Sequence, residues 1–159
     1  MAVVIEQAHA PTTEIVELLG ELDAVLSGPY AADQRHALSV EQLFRPDVRF
    51  FVARLDGAAV ACGGIGFYDG YAELKRMYSR PLVRGRGVAK AILRRLEAEA
   101  RAVGAGLLRI ETGVHQEEAL RFYEAAGFRR CGPFGPYAAM PPRATELSIF
   151  YEKVVERDA

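Results

Sequence analysis

The chain has 159 residues, half of them apolar and 26% charged, the ordinary mixture of a globular protein that can bury a core without staples. Twenty Lys and Arg against 21 Asp and Glu leave a net charge of −1, which as a whole favours neither nucleic acid nor a membrane surface. Cys62 and Cys131 make no disulfide framework and no His/Cys spacing suits a metal; the longest uncharged apolar stretch, between Asp56 and Asp69, is too short to span a bilayer. The expectation is a single domain over 1–159, cytoplasmic, with no signal peptide at its start and with both cysteines acting as small buried hydrophobes.

Val3, Val4 and Ile5 predict a short strand over Met1–Ala8. Pro11-Thr12-Thr13-Glu14 supplies a threonine cap and an acidic first turn, and Ile15, Leu18, Leu19, Leu22, Val25 and Leu26 continue at helical spacing. Ser27-Gly28-Pro29 stops that helix, and Ser39 is placed to cap a second, running through Phe44 before Pro46. Asp56-Gly57 between Phe50–Leu55 and Ala58–Phe67 predicts a hairpin, and Asp69-Gly70 leads into a third strand, Tyr71–Tyr78, of the same meander. Gly85–Val103 then reads as a helix with Val88, Ile92, Leu96, Ala100 and Val103 on one face and Gly104 and Gly106 at its end. A strand at Leu107–Thr112, a helix at Glu117–Ala126 closed by Gly127, a strand from Phe128 to Cys131, a Gly/Pro-rich loop and a last strand at Glu146–Val154 complete the order. The helix between strands 71–78 and 107–112 is a crossover joining parallel strands, so the fold class is α/β, a mixed sheet with helices on its faces.

The near-zero net charge hides a concentration of positive charge. Lys75, Arg76, Arg80, Arg84, Arg86, Lys90, Arg94 and Arg95 fall in 21 residues without one acid, while the remaining chain holds 12 basic and 21 acidic residues. Within that segment, Arg84-Gly85-Arg86-Gly87-Val88-Ala89 sits between a strand and a helix. A helix N-terminus offers unpaired N–H groups and the positive end of its dipole to a phosphate. Gly85 and Gly87 let backbone approach the anion closely, and Arg84, Arg86 and Lys90 add formal charge. The motif lacks the Gly-Lys-Ser/Thr of a P-loop and the downstream acid of a dinucleotide fold.

Leu82–Ala89 resembles the Arg/Gln-x-x-Gly-x-Gly/Ala motif of the GNAT superfamily of acetyl-CoA-dependent N-acetyltransferases. Upstream, Glu73–Tyr78 is similar to that family's preceding strand. Downstream, Glu118–Phe128, with Ala119, Phe122-Tyr123 and Gly127-Phe128, is similar to its Ala-x-x-Leu/Phe-Tyr-x-x-x-Gly-Phe signature. The three stand in family order over about residues 72–128. Gln116 departs from the asparagine the family commonly carries three residues before the alanine, and Ala89 from the commoner glycine.

The resemblance implies a central mixed, mostly antiparallel sheet, with one parallel pair splayed around acyl-CoA by a bulge in strand 71–78. Leu74 and Met77, apolar at a spacing of three, hint at that bulge. It also implies acetyl-CoA held by Met77, Tyr78, Arg84, Gly85, Arg86, Gly87, Val88, Ala89, Lys90, Gln116 and Tyr123, with a backbone N–H near Met77 polarising the thioester carbonyl. A lysine-like amine is neutral in only ~1 molecule in 2,500 at pH 7, so a base is needed. Glu73 holds the family's base position, its alternative being a surface carboxylate paired with Lys75 or Arg76. Tyr123 matches the tyrosine that protonates the departing thiolate.

The implied function is acetyl transfer to a primary amine of a small molecule or peptide, without a metal. A non-catalytic acyl-CoA sensor or scaffold is the alternative, and Glu73 and Tyr123 argue against it because a binder needs neither. Nucleic-acid binding is disfavoured by the lack of aromatic residues within 79–95. The family leaves room for a homodimer. His9, His36 and His115 read as surface or hydrogen-bonded histidines, Gly63-Gly64-Ile65-Gly66 as strand close packing, and Tyr30, Tyr137 and the loop from Cys131 as candidates for lining an acceptor pocket.

Overall fold

The computed structural model describes residues 2–156, so Met1, placed at the start of the expected first strand, lies outside the described residues. Seven strands form one sheet: β1 (Val3–Ala8), β2 (Val48–Leu55), β3 (Ala58–Tyr68), β4 (Tyr71–Ser79), β5 (Leu107–Gly113), β6 (Arg129–Cys131) and β7 (Ser148–Val154), in spatial order β1-β2-β3-β4-β5-β7-β6. All neighbours are antiparallel except β4 and β5. The mixed sheet with one parallel pair is the expected architecture.

Strand alternation divides the core. Phe50 and Val52 of β2 face α1 (Thr13–Ser27), where Ile15, Leu18 and Leu19 are buried. Phe51, Ala53 and Leu55 face the other way, toward Val88, Ile92, Leu96 and Ala100 of α2 (Val88–Ala102) and toward Tyr123 of α3 (Glu117–Ala125). Gly63 lies beneath α2, where a Cβ would run into Met77 Sδ and come within 3.0 Å of Ile92 Cγ2, so close packing is the role of that glycine run. Of the cysteines, Cys62 is buried and Cys131 only half-buried.

Two expected helices differ from what is found. The one capped by Ser39 is only a 3-10 turn at Gln42–Phe44; Ser39 and Gln42 do exchange bonds in the manner of a cap, but Pro46 leaves no room for a second turn. α2 begins at Val88 rather than Gly85, because Gly85 (φ 79°) and Gly87 (φ 80°) occupy the left-handed region, which ends helical geometry on its N-terminal side. The loop before β7 contains a further short helix, α4 (Pro142–Thr145), where Pro stands in the first turn.

Candidate active site

The geometry of the site begins in β4. Cys62 pairs with Tyr78 and Gly64 with Lys75, so two residues of β4, Arg76 and Met77, stand against one of β3. Arg76 takes φ +55°, the conformation of a bulge made here without glycine. On the other side, β5 pairs with β4 only at Ala72 and Glu73; beyond Glu73 the two strands separate. The expected bulge and splay are both present.

A groove of about 750 Å³ opens from this gap. Met77, Tyr78, Arg84, Gly85, Gly87, Val88, Ala89, Lys90, Gln116 and Tyr123 line it, bringing together ten of the residues expected to hold a coenzyme. Arg86 does not line it; its backbone N–H closes a turn on the Val83 carbonyl. Much of the basic segment is matched internally. Lys75 pairs with Glu73, Arg76 with Asp23, Arg80 with Glu21, Arg84 with Glu118 and Arg95 with Glu99. Among the described residues Arg86, Lys90 and Arg94 form no ion pair. The positive character at the groove therefore comes from Lys90, the partly exposed Arg84 and the free N–H groups opening α2.

A smaller cavity of about 160 Å³ meets the groove, and both are lined by Leu22, Met77, Gln116, Ala119 and Tyr123. Its wall includes Glu73, which is 3% exposed and so not at the surface, although it does carry the Lys75 pairing of the alternative reading. Tyr137 Oη donates to Glu73 Oε2 at 2.7 Å, and Lys75 Nζ lies 2.9 Å from Oε1. Tyr30 and Tyr137 line this cavity, as expected of acceptor-pocket aromatics; Phe134 instead packs beside it with Phe150. Tyr123 is buried, and desolvation holds its hydroxyl well above the ordinary phenol range, protonated at neutral pH.

Gln116 has a role that its sequence position does not show. Tyr30 Oη donates to Gln116 Oε1 at 3.2 Å and accepts from the His115 N–H at 2.8 Å. Gly113 admits the ring, since a Cβ there would run into Tyr30 Oη. Gln116 thus ties α1's C-terminal connection to the start of α3. Arg35, His36, Lys75 and Glu111, which sequence reasoning did not place at an acceptor site, also line the smaller cavity. Cys62 borders the groove, but burial pushes its thiol up to about 12, which removes it as a nucleophile.

Comparison with known proteins follows the same line. The model of a family described as acetyltransferase (GNAT) matches residues 14–128. The chain is 43% identical over 141 residues to an IAA acetyltransferase of Azospirillum brasilense, covering 87% of this chain and 89% of that one. Among solved structures, a Klebsiella pneumoniae protein described as an acyl-CoA N-acyltransferase superposes with a TM-score of 0.78 at 32% identity, over 96% of this chain and 97% of the other. The PaiA N-acetyltransferase of Thermoplasma acidophilum, solved with coenzyme A, shares the fold at 19% identity, with a TM-score of 0.68 over 97% and 99% of the two chains.

Proposed function

The chain belongs to the acetyltransferase (GNAT) family, and from that premise we propose that it moves the acetyl group of acetyl-CoA directly to a primary amine bound in the same complex. The observation that carries this reading is the junction of the two cavities at Met77 and Tyr123. A thioester entering along the groove and an amine held in the smaller cavity meet there, so no covalent enzyme intermediate is required. The left-handed glycines, the N-terminus of α2 and Lys90 suit a diphosphate, and acetyl-CoA supplies the activated acetyl group.

The chain's own residues then divide the work. Glu73 receives the ammonium proton, directly or through water, while Tyr137 and Lys75 hold its two carboxylate oxygens in place. The Met77 amide, at a bulge without a register partner in β3, polarises the thioester carbonyl. As the amine nitrogen bonds to the carbonyl carbon and the C–S bond breaks, Tyr123 gives its proton to the leaving sulfur, and the second proton shed by the nitrogen restores the Tyr123 hydroxyl through water.

The test is release of free thiol from acetyl-CoA across a panel of amines, with IAA, for which the Azospirillum brasilense relative is named, assayed beside them. Tyr123→Phe is expected to lower kcat at least tenfold while KM for acetyl-CoA stays within about twofold, since general-acid catalysis contributes roughly 10²–10⁴. Undiminished turnover by this variant across the pH range would remove Tyr123 from the reaction. Tight coenzyme binding with no amine accelerating thiol release would favour a binding module.

A further inference from the structure

Five charged side chains line the acceptor cavity: Arg35, Glu73, Lys75, Arg76 and Glu111. Four have partners within the fold. Lys75 is paired with Glu73, and Arg76 Nη1 lies 2.6 Å from Asp23 Oδ1. Ser148 Oγ donates to Glu111 Oε2 at 2.7 Å, and burial shifts that carboxyl toward its neutral form. Arg35 forms no ion pair among the described residues, and its Nε is buried without a hydrogen-bond partner.

Arg35 is nonetheless firmly placed. On one side of it, Gln34 Nε2 donates to Glu146 Oε1 at 2.9 Å and to the Arg143 carbonyl at 3.3 Å. On the other, His36 Nε2 lies 2.6 Å from the Ala144 carbonyl oxygen. Both flanking residues are thus strapped to 143–146, and the arginine between them faces the cavity unmatched. A buried polar group in a native structure requires a partner, and a guanidinium selects a planar anion that can accept two parallel bonds.

We propose that Arg35 binds a carboxylate of the acceptor, so that the acceptor class is a small amino acid, a primary amine bearing a carboxylate. The proposal rests on the reading of Glu73 and Tyr123 as an acetyl-transfer site. Glu73 receives the ammonium end and Arg35 takes the acid end, an arrangement that a plain alkylamine would leave half unanswered. The size of the cavity, about 160 Å³, suits a compound smaller than the drug-sized ligands of ~300–1,000 Å³ pockets.

The experiment compares the twenty protein amino acids with their α-amides as acceptors, at equal concentrations of unprotonated amine, so that the lower amine pKa of the amides has no influence. At least one acid is expected to exceed its amide by tenfold or more in kcat/KM. Arg35→Met is expected to bring that ratio to within about threefold of unity, and Arg35→Lys to leave it in between; coenzyme A binding by calorimetry verifies that each variant is folded. Amides that match or exceed their acids throughout would overturn the assignment. Calorimetry of the acids on coenzyme-loaded protein separates the two readings. Acid binding lost in Arg35→Met, without thiol release, would sustain the carboxylate site and refute acetyl transfer. Thiol release indifferent to the carboxylate would refute the carboxylate site and sustain acetyl transfer.

Discussion

Gly87 permits a sharp separation of stability from coenzyme binding. It caps α2 at φ 80° and ψ 8°, and its carbonyl accepts the Ala91 N–H at 3.0 Å. A Cβ built there meets no atom within 4 Å, so Gly87→Ala creates no clash within the chain. What remains is the left-handed conformation, which costs an L-residue about 1–2 kcal/mol, offset by about 0.4–1 kcal/mol from the less flexible unfolded chain. For a chain of this size a net loss of about 1 kcal/mol lowers Tm by roughly 2–4 °C. If the diphosphate of acetyl-CoA is held by the amides opening α2, relaxation of this turn removes one charge-assisted hydrogen bond or more. Each is worth about 1.5–3 kcal/mol, so Kd for coenzyme A should rise roughly 10- to 150-fold. Pantetheine, which shares the thiol arm and has no diphosphate, should bind the variant as it binds the parent. Calorimetry with both ligands, beside a thermal melt, reads all three quantities. A variant that melts a few degrees lower and binds coenzyme A unchanged would refute the phosphate cradle.

Two further predictions concern the walls of the site. Burial raises the Glu111 pKa in the fold, so over the window from the ordinary carboxylate range up to the raised value the folded state holds more protons than the unfolded chain. Stability therefore falls as pH rises through that window, and Glu111→Gln, which can still accept from Ser148, should melt above the parent at pH 7 and lose the advantage toward pH 4; equal or lower melting throughout would contradict this. At Arg76 the usual preference for alanine over glycine should reverse. The left-handed φ costs alanine about 1–2 kcal/mol against glycine's usual handicap of about 0.5–1 kcal/mol, and denaturant melts in which Arg76→Ala is the more stable of the two would deny that the bulge is kept in the variants.

The architecture was legible because its signals are local. Asp56-Gly57 and Asp69-Gly70 fix two turns, Gly85 and Gly87 announce a turn that ordinary residues resist, and the spacing of Leu74 and Met77 betrays the bulge, found at Arg76 and Met77. Ten of the expected coenzyme residues border one groove because the strand–turn–helix unit that carries most of them is contiguous in sequence. Arg86 does not border the groove, and alternation of arginine and glycine says nothing of which arginine faces inward. The acceptor wall was largely invisible. Arg35 and His36 reach it only because Gln34 and His36 are bound to residues 143–146, more than 100 residues away in sequence. Glu111 occupies an ordinary strand position until Ser148 and the α1 connection close over it. A left-handed arginine at 76 likewise carries no sequence mark.

The basic segment takes on a different meaning once α1 is considered with it. Beyond Glu73, β4 has lost β5 as a neighbour, and a strand opened on one side would ordinarily fray. Here α1 holds it. Arg76 donates to Asp23 at 2.6 Å and to the Leu19 carbonyl at 3.2 Å, Tyr78 donates to Glu21 at 3.1 Å, and Arg80 bonds to the same glutamate at 2.9 Å. The acids of α1 are drawn onto the splayed half of β4, which lets the strand end stay in place with its edge free for a substrate. Arg76 and Arg80 are then struts rather than anion receptors, and the charge left for a coenzyme is concentrated at Lys90 and the start of α2. The opening that the proposed reaction needs and the ion pairs that look like surface decoration are parts of the same construction.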